Sequence, residues 1–494
     1  MSDAGHKNEI AVGQLLGSAA LAARLQTCRI GIWSTSASHT PSGLLLAEAL
    51  GDVLGRLWRN FDAAGPLART VLQAARQAAE SGEQLLSAEE RWNPPYDVTL
   101  AMGTDLPPGS GLGFRIGGTG WKAMIGPTAF VDHDTNPVGP AAAAAIAALE
   151  VFKVVFADAL GGRSRQLPSE WVWSAWDYGR NGPAPDPEPL LLDDVHIIGV
   201  GAVTHGLLWL LERWPAEVRG TMHLIDQDIY DHSNGQRYAG MRPEDVGQPK
   251  PMQAAQRLRS RHPSLTVVDH NRQDMNQYFE QMRPDCCVRL AVAGVDSPEH
   301  RRQLALKLPQ RVVNMWTEGE WLGAARFGMG DGWPCLFCAY SEDTTAPMDE
   351  TGQLAAETGL NPARVRDLLF SGAGLTPDDI AVIAQKYALS SQQVLVGKPL
   401  RSIRGVLCAT GRLSLPEASS DADVPFAFSS LLAGIGGFVE LVRELWGGAS
   451  EPGHWQFRVF SYLVPNNWDR RQASSGCYLC GDALAQQIIR GKYG

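Results

Sequence analysis

The sequence lacks an excess of positive charge: its 494 residues carry 43 Lys and Arg against 53 Asp and Glu, a formal net charge of −10. A cationic face is what holds a nucleic-acid backbone, so broad phosphate-backbone binding is excluded as the main activity and only a local basic patch remains. The opening residues MSDAGHKNEI contain no apolar signal core. Long uncharged hydrophobic runs are missing too. The two most apolar stretches, 140–156 and 426–445, each contain Glu with Lys or Arg and are rich in Ala or Gly, which suits buried core helices rather than membrane spans. A soluble, cytoplasmic protein with neither membrane nor nucleic-acid partners is the expectation. Cysteines are few, eight in all. At roughly 100 to 200 residues per domain the chain holds about two to four domains, which excludes a small disulfide-stapled fold. With 44% hydrophobic and 19% charged residues, the composition is globular.

What is present divides the chain. GRNGPAPDPEP (179–189) has four prolines and no apolar periodicity, so it reads as an extended surface connector. After it, strands are predicted at 194–200, 221–226, 265–269, 286–292 and 311–315, alternating with helical patterns at 206–214, 252–261 and 297–308. That alternation means βαβ units and a mainly parallel sheet. The first 160 residues read as a worn copy of the same plan, with strands at 29–34 and 96–102. Aligning Glu150 with Glu440 sets PAAAAAIAALEVFK on SLLAGIGGFVELVR, two small-residue helices ending in Glu, two apolar residues and a cation. Trp121 and Trp321 open similar runs 29 and 119 residues before those glutamates. The competing explanation is that Ala/Gly-rich helices resemble one another by composition. The second copy carries extra residues, including two helical patterns in 344–400. One starts with Thr376 as N-cap, Pro377 in the first helical position and Asp378 and Asp379 in the first turn.

GVGAV (199–203), followed by Gly206, lies between a strand and a helix, where Gly199 and Gly201 let the backbone approach a phosphate at the helix N-terminus. Thr204 stands where a third glycine is usual. Asp226, ending the second strand, is placed for ribose hydroxyls. An NAD-dependent dehydrogenase would explain this much. It has no need of Asn234, Arg237 and Lys250, whereas an ATP-handling enzyme needs such cations and amides to neutralise charge as pyrophosphate leaves. Asp296 would then hold Mg²⁺. Taken singly, each is equally explained as a solvated loop residue.

Cys335 and Cys338, and Cys477 and Cys480, form two CxxC pairs separated by 138 residues. Four thiolates so paired suit a tetrahedral structural zinc. A redox CxxC is the rival, disfavoured because neither pair is expected to open a thioredoxin-like helix. Cys28, Cys286 and Cys287 read as core residues on apolar strands. Cys408 lies in a loop between Arg404 and Arg412, cations that would favour its thiolate.

The order GVGAV, DQDIYDHSNGQR, GQPK, AGVD, CLFC and CYLC resembles the ubiquitin-activating enzyme superfamily, including its ThiF/MoeB type. The match covers about 195–340 and 405–485. It departs at Thr204, at Tyr238 where the family often has Gln, and at Ser297 where it often has Asn. The tandem layout resembles the activating enzymes of bacterial Bil-type antiphage conjugation operons. The resemblance implies tandem Rossmann-like α/β adenylation folds, the first degenerate and the second intact, with a small helical insertion and a zinc-knuckle site. The implied boundaries are an inactive domain at 1–165, a linker at 166–190, the active domain at 191–343 and 411–494, and the insertion at 344–410. It also implies Asp226 on the ribose, Asn234, Arg237 and Lys250 on the phosphates, Asp296 on Mg²⁺, and zinc at the four paired cysteines. In the implied reaction ATP adenylates the C-terminus of a ubiquitin-like protein, Cys408 takes it as a thioester, and a conjugating enzyme receives it. A sulfur-carrier adenylyltransferase without the thioester step is the alternative, and a catalytically dead scaffold a further competitor. Monomer and homo-oligomer are both compatible.

Overall fold

The structure, a computed structural model, describes residues 8, 11–13, 16, 18–79, 87–165, 167–282, 287–329, 333–340, 351, 354–355, 358–387, 396–400, 426–447, 453–461, 468–469, 473, 477, 479–480 and 483–493. The chain forms two compact units, one of Met1–Tyr340 with Asp423–Gly494 and one of Ser341–Ala422.

The larger unit contains two sheets. The first comprises β1 (Ile30–Trp33), β2 (Asn60–Ala64), β3 (Ser87–Glu90), β4 (Val98–Met102), β5 (Gly113–Thr119), β6 (Lys122–Ile125) and β7 (Trp171–Ser174), in the order β3-β2-β1-β4-β5-β6-β7. Its longer helices are α1 (Pro41–Leu57), α2 (Ala68–Ala78) and α3 (Val138–Val155). The second half continues with β8 (Leu190–Ile198), α4 (Ala202–Glu212), β9 (Val218–Asp226), α5 (Lys250–Arg261), β10 (Leu265–Asn271), α6 (Met275–Gln281), β11 (Leu290–Ala293), α7 (Pro298–Leu306), β12 (Arg311–Glu318) and β13 (Trp321–Gly328). In the smaller unit lie α8 (Pro362–Ser371) and α9 (Pro377–Tyr387). The larger unit then resumes with α10 (Ala427–Leu445), β14 (His454–Arg458), β15 (Trp468–Asp469) and α11 (Ala483–Tyr493).

The second sheet is ordered β10-β9-β8-β11-β12-β13-β14-β15. Strand for strand it repeats the first. In each, four parallel pairings surround the first strand, and the next two pairings are antiparallel. The predicted repeat is therefore present as topology. Glu150 and Glu440 fall on the corresponding helices α3 and α10, and Trp121 and Trp321 at the corresponding strands β6 and β13.

α3 is apolar on every side because it is buried on every side, packed on α1, α10, β5 and β6. Its length and hydropathy would let it cross a membrane, yet 89% of it is inside the protein. Its one ion pair, Lys153 Nζ to Glu150 Oε1 at 2.5 Å, is enclosed with it. In α10 the equivalent Glu440 is fully buried and receives Arg326 Nε at 2.5 Å, Arg443 at 3.2 Å and the Tyr178 hydroxyl. α3 and α10 pack on each other, and one continuous apolar core runs through both halves. Four indoles join it from both sides: Trp121 and Trp176 from the first half, Trp214 and Trp446 from the second, with neighbouring centroids 4.8–6.4 Å apart.

In the smaller unit, Leu354, Leu360, Val365, Leu368, Leu375, Ile380, Ile383 and Leu400 make a separate core. α9 starts as predicted. The Asp379 amide donates to Thr376 Oγ1, Thr376 Oγ1 donates to Asp379 Oδ2, and Arg364 of α8 spans Asp379 at 3.0 and 2.9 Å.

Several element ends differ from expectation. β8 begins at Leu190 rather than 194. Its register slips between Leu192 and Val195, and the polar pair Asp193-Asp194 interrupts the apolar alternation that marks a strand. α4 begins at Ala202, directly on the glycine turn. Cys28 is buried but caps a short helix ahead of β1, and Cys287 precedes β11, its Sγ donating to the Lys492 carbonyl at 3.1 Å; neither is on a strand. Cys286 lies outside the described residues.

Candidate functional site

β8 and β11 are adjacent, and their following loops leave in opposite directions along the strand order. That is the switch point where an open α/β sheet leaves a crevice. The turn after β8 sits there. Gly199 has φ +88°, and a Cβ on it would stand 2.8 Å from the Gly294 carbonyl of the loop after β11. A Cβ on Gly294 would be 2.0 Å from Thr204 Oγ1. Thr204, standing where a glycine is usual, does not loosen the turn. Its hydroxyl donates to the Gly199 carbonyl at 2.7 Å and closes it. Gly201 is the N-cap of α4, so the first amides of that helix are presented at the turn.

Asp226 ends β9 beside this turn. Its Oδ2 accepts the Val200 amide at 2.7 Å and its Oδ1 the Asp228 amide at 2.8 Å. Burial pushes the Asp226 carboxyl up, and the Lys250 ammonium pulls it back. Lys250 opens α5, an unfavourable place for a cation because of the helix dipole. Asp228 offsets this, receiving Lys250 Nζ at 2.8 Å. Burial disfavours the ammonium, but Tyr238, Asp226 and Asp228 outweigh it and raise its pKa, so Lys250 is a cation at neutral pH.

The loop between β9 and α5 carries the remaining polar residues. Asn234 is buried and shapes the loop itself, Oδ1 accepting the Asp231 amide at 3.0 Å. Arg237 lies against Tyr238, 5.9 Å from its ring centroid. Asp296, just past β11, has a side chain 93% exposed and His300 Nδ1 at 3.4 Å. That hydrogen bond holds its carboxyl below the usual range. The structure thus brings Gly199, Gly201, Asp226 and Lys250 together around one turn, and gives Asn234 a loop-building bond.

Sequence reasoning missed Arg56. This α1 side chain from the first half reaches the loop of the second, donating to the Gly235 carbonyl and to Met241 O at 3.0 Å while Asp52 holds it at 2.7 and 3.1 Å. Asp52 also accepts the Gly240 amide at 3.3 Å. The available signal was an Asp and an Arg four residues apart in a mostly apolar helix whose other charged residue is Glu48. In the first half itself, the turn after β1 reads Ser34-Thr35-Ser36 and contains no glycine.

The four paired cysteines converge. Cys335 Sγ is 3.7 Å from Cys338 and 3.6 Å from Cys477, and Cys338 is 3.1 Å from Cys480. These spacings are too long for disulfides; the two from Cys335 are near the roughly 3.8 Å between sulfurs around a tetrahedral ion with bonds of about 2.3 Å, and the Cys338–Cys480 spacing is shorter. All four lie within 4.8 Å of one another, so one metal ion fits the set. Cys335 nonetheless caps a helix, Leu336–Ala339, contrary to expectation. It is a single turn, closed by the Cys338 amide on the Cys335 carbonyl at 3.0 Å. Cys408 lies outside the described residues.

The ThiF family profile matches residues 187–489. The chain belongs to the ThiF family. Membership implies an ATP-dependent adenylyltransferase, and the two parallel-dominant sheets fit its Rossmann-like fold. Among relatives, the chain is 30% identical over 417 residues to "Uncharacterized protein y4jF" of Sinorhizobium fredii (strain NBRC 101917 / NGR234), covering 80% of this chain and 78% of that one. Among solved structures, it is 13% identical to E. coli MccB, covering 75% of this chain and 95% of that one, with a TM-score of 0.37. E. coli MccB with MccA-N7isoASN matches at 13% identity over 59% of this chain and 68% of that one, with a TM-score of 0.32.

Proposed function

We propose that this ThiF-family protein uses ATP to activate the C-terminal carboxylate of a ubiquitin-like protein, takes the modifier onto Cys408 as a thioester, and passes it to a conjugating enzyme. The observation that carries the adenylation step is the convergence of the closed glycine turn, Asp226 and Lys250 at the switch point of the second sheet. Asp226 would accept the ribose hydroxyls through lone pairs its two amide bonds leave free. Lys250, released from Asp228, would move its charge to the phosphates together with Arg237, and Asn234 would set the loop that carries them. Mg²⁺ bound by Asp296 would neutralise phosphate charge. Zinc at Cys335, Cys338, Cys477 and Cys480 would supply a structural cross-link between the end of the chain and the region after β13.

A carboxylate oxygen of the modifier attacks the α-phosphorus of ATP, and pyrophosphate leaves with the electrons of the broken P–O bond. The Cys408 thiolate then attacks the acyl carbonyl and AMP leaves. The tandem topology supports a first half that replaces the second subunit of a homodimer, with Arg56 bracing the loop. It also supports reading the protein as the activating component of a bacterial antiphage conjugation system of the Bil type.

ATP–pyrophosphate exchange with ubiquitin-like proteins encoded beside this gene tests the first step. Exchange is expected, and Lys250→Ala should lower it by roughly 10²-fold or more. No exchange with any of them overturns the reading. A thiol-sensitive enzyme–modifier band, lost in Cys408→Ala while exchange survives, tests the second step. Exchange without such a band indicates a sulfur-carrier adenylyltransferase instead.

A further inference from the structure

A second group of side chains able to ligate a metal lies apart from the paired cysteines and from every residue given a role in adenylation. His196 on β8 and His223 on β9 are register partners in the parallel sheet, their rings stacked with centroids 4.7 Å apart and planes 7° from parallel. Asp194 faces both: its Oδ1 is 2.9 Å from His223 Nε2 and its Oδ2 is 3.3 Å from His196 Nε2. The three donor atoms lie within 4.8 Å of one another.

The backbone is bent to achieve this. Asp194 has φ +58°, a left-handed conformation that costs a non-glycine residue energy, and it sits in the register break of β8. Both imidazoles are held from behind. The Tyr278 hydroxyl of α6 is 2.8 Å from His196 Nδ1, and His270 Nε2 on β10 is 3.0 Å from His223 Nδ1. Such outer partners set which ring nitrogen faces Asp194; because the rings are stacked, one must turn for both Nε2 lone pairs to meet on one ion. His196 is a buried polar group aimed into the cluster: its side chain is 2% exposed, and its Nε2 has no hydrogen bond among the described residues, with Asp194 Oδ2 3.3 Å away.

We propose that Asp194, His196 and His223 form a binding site for a divalent first-row cation of the zinc class. Two imidazole nitrogens and one carboxylate, with no thiolate, are the donor set such ions take. Bonds of about 2.0–2.1 Å in a tetrahedral site set the ligand atoms roughly 3.3 Å apart; one Asp194 oxygen already stands 3.3 Å from His196 Nε2 and the other 2.9 Å from His223 Nε2. Asp194, with its side chain 48% exposed, leaves the fourth position open to water. Alternation along β8 and β9 puts His196 on the face of Ile198 and His223 on the face of Ile225, both in the apolar cluster that includes Cys335 and Cys477. The two donor clusters therefore share one face of the sheet.

The test uses the full-length protein, equilibrated with zinc, freed of excess and assayed for metal per chain, beside His223→Ala and Asp194→Gly. Glycine removes the ligand and accepts the positive φ, so Asp194→Gly keeps the test valid if His223→Ala fails to fold. Both variants should bind one equivalent less than the parent. Cobalt in the site should give d–d absorption without thiolate charge transfer, unchanged by Cys335→Ser with Cys338→Ser. Equal metal content in the parent and both variants overturns the proposal, as does a cobalt spectrum consisting only of thiolate bands.

Discussion

Arg56 holds a full charge where no water reaches it, its side chain 0% exposed and its partners an acid on its own helix and two carbonyls of the opposite half. Replacing one partner of a buried pair strands the other, at a cost of about 3–5 kcal/mol. Arg56→Ala should lose stability of that order in denaturant unfolding of the full chain, while Arg56→Met with Asp52→Leu should lose much less. A loss from Arg56→Ala no larger than for an exposed arginine would show that the brace is idle. At Gly294 the effect is steric. A Cβ 2.0 Å from Thr204 Oγ1 and 2.6 Å from the Gly199 carbonyl must push one of them aside. Gly294→Ala should therefore cost about 1–3 kcal/mol and weaken ATP binding measured by calorimetry. The placement of Asp226 and Lys250 beside the glycine turn was legible, because the first ends a strand and the second opens a helix whose patterns are local. Arg56 and Gly294 were not, because their importance is set by atoms 90 or more residues away in the chain.

At the scale of elements, α8 and α9 are joined by Arg364 and Asp379. The hydrogen bond from Arg364 lowers the Asp379 carboxyl to about 2 from an ordinary 3.8. Because the folded value is the lower one, the pair contributes its full stability above about pH 3.8, and that contribution fades as pH falls toward 2. Backbone amide exchange in α8 and α9, corrected for intrinsic rates, should lose protection through that window. Asp379→Asn should have lost it already at neutral pH; a variant as protected as the parent would rule the pair out. Both helices could be read from apolar residues at helical spacing, and α9 also from the local start signal of Thr376, Pro377 and the acidic first turn. The start of β8 could not, since the bend at Asp194 breaks the alternation on which strand reading depends.

On the scale of the whole molecule, the two halves share one strand order and one core, although little beyond the α3 and α10 pattern betrays the kinship in sequence. Apolar volume and topology suffice to build the sheet, so the first half has it although the turn after β1 carries no glycine. If the first half stands in for a second subunit, it is tethered at high effective concentration. The rate of pyrophosphate exchange per chain should then stay constant on dilution, and a rate that falls with dilution would mean that two chains must associate. The cysteine cluster acts at this scale as well. If it holds the proposed zinc, Cys335→Ser with Cys477→Ser should lower both the zinc content per chain and the melting temperature measured by calorimetry.

The four indoles shared between the halves, Trp121, Trp176, Trp214 and Trp446, give the protein a built-in optical gauge. Any event that parts the halves wets this cluster and moves tryptophan emission to longer wavelength. The seam between the copies can thus be watched during unfolding and turnover without attaching a dye.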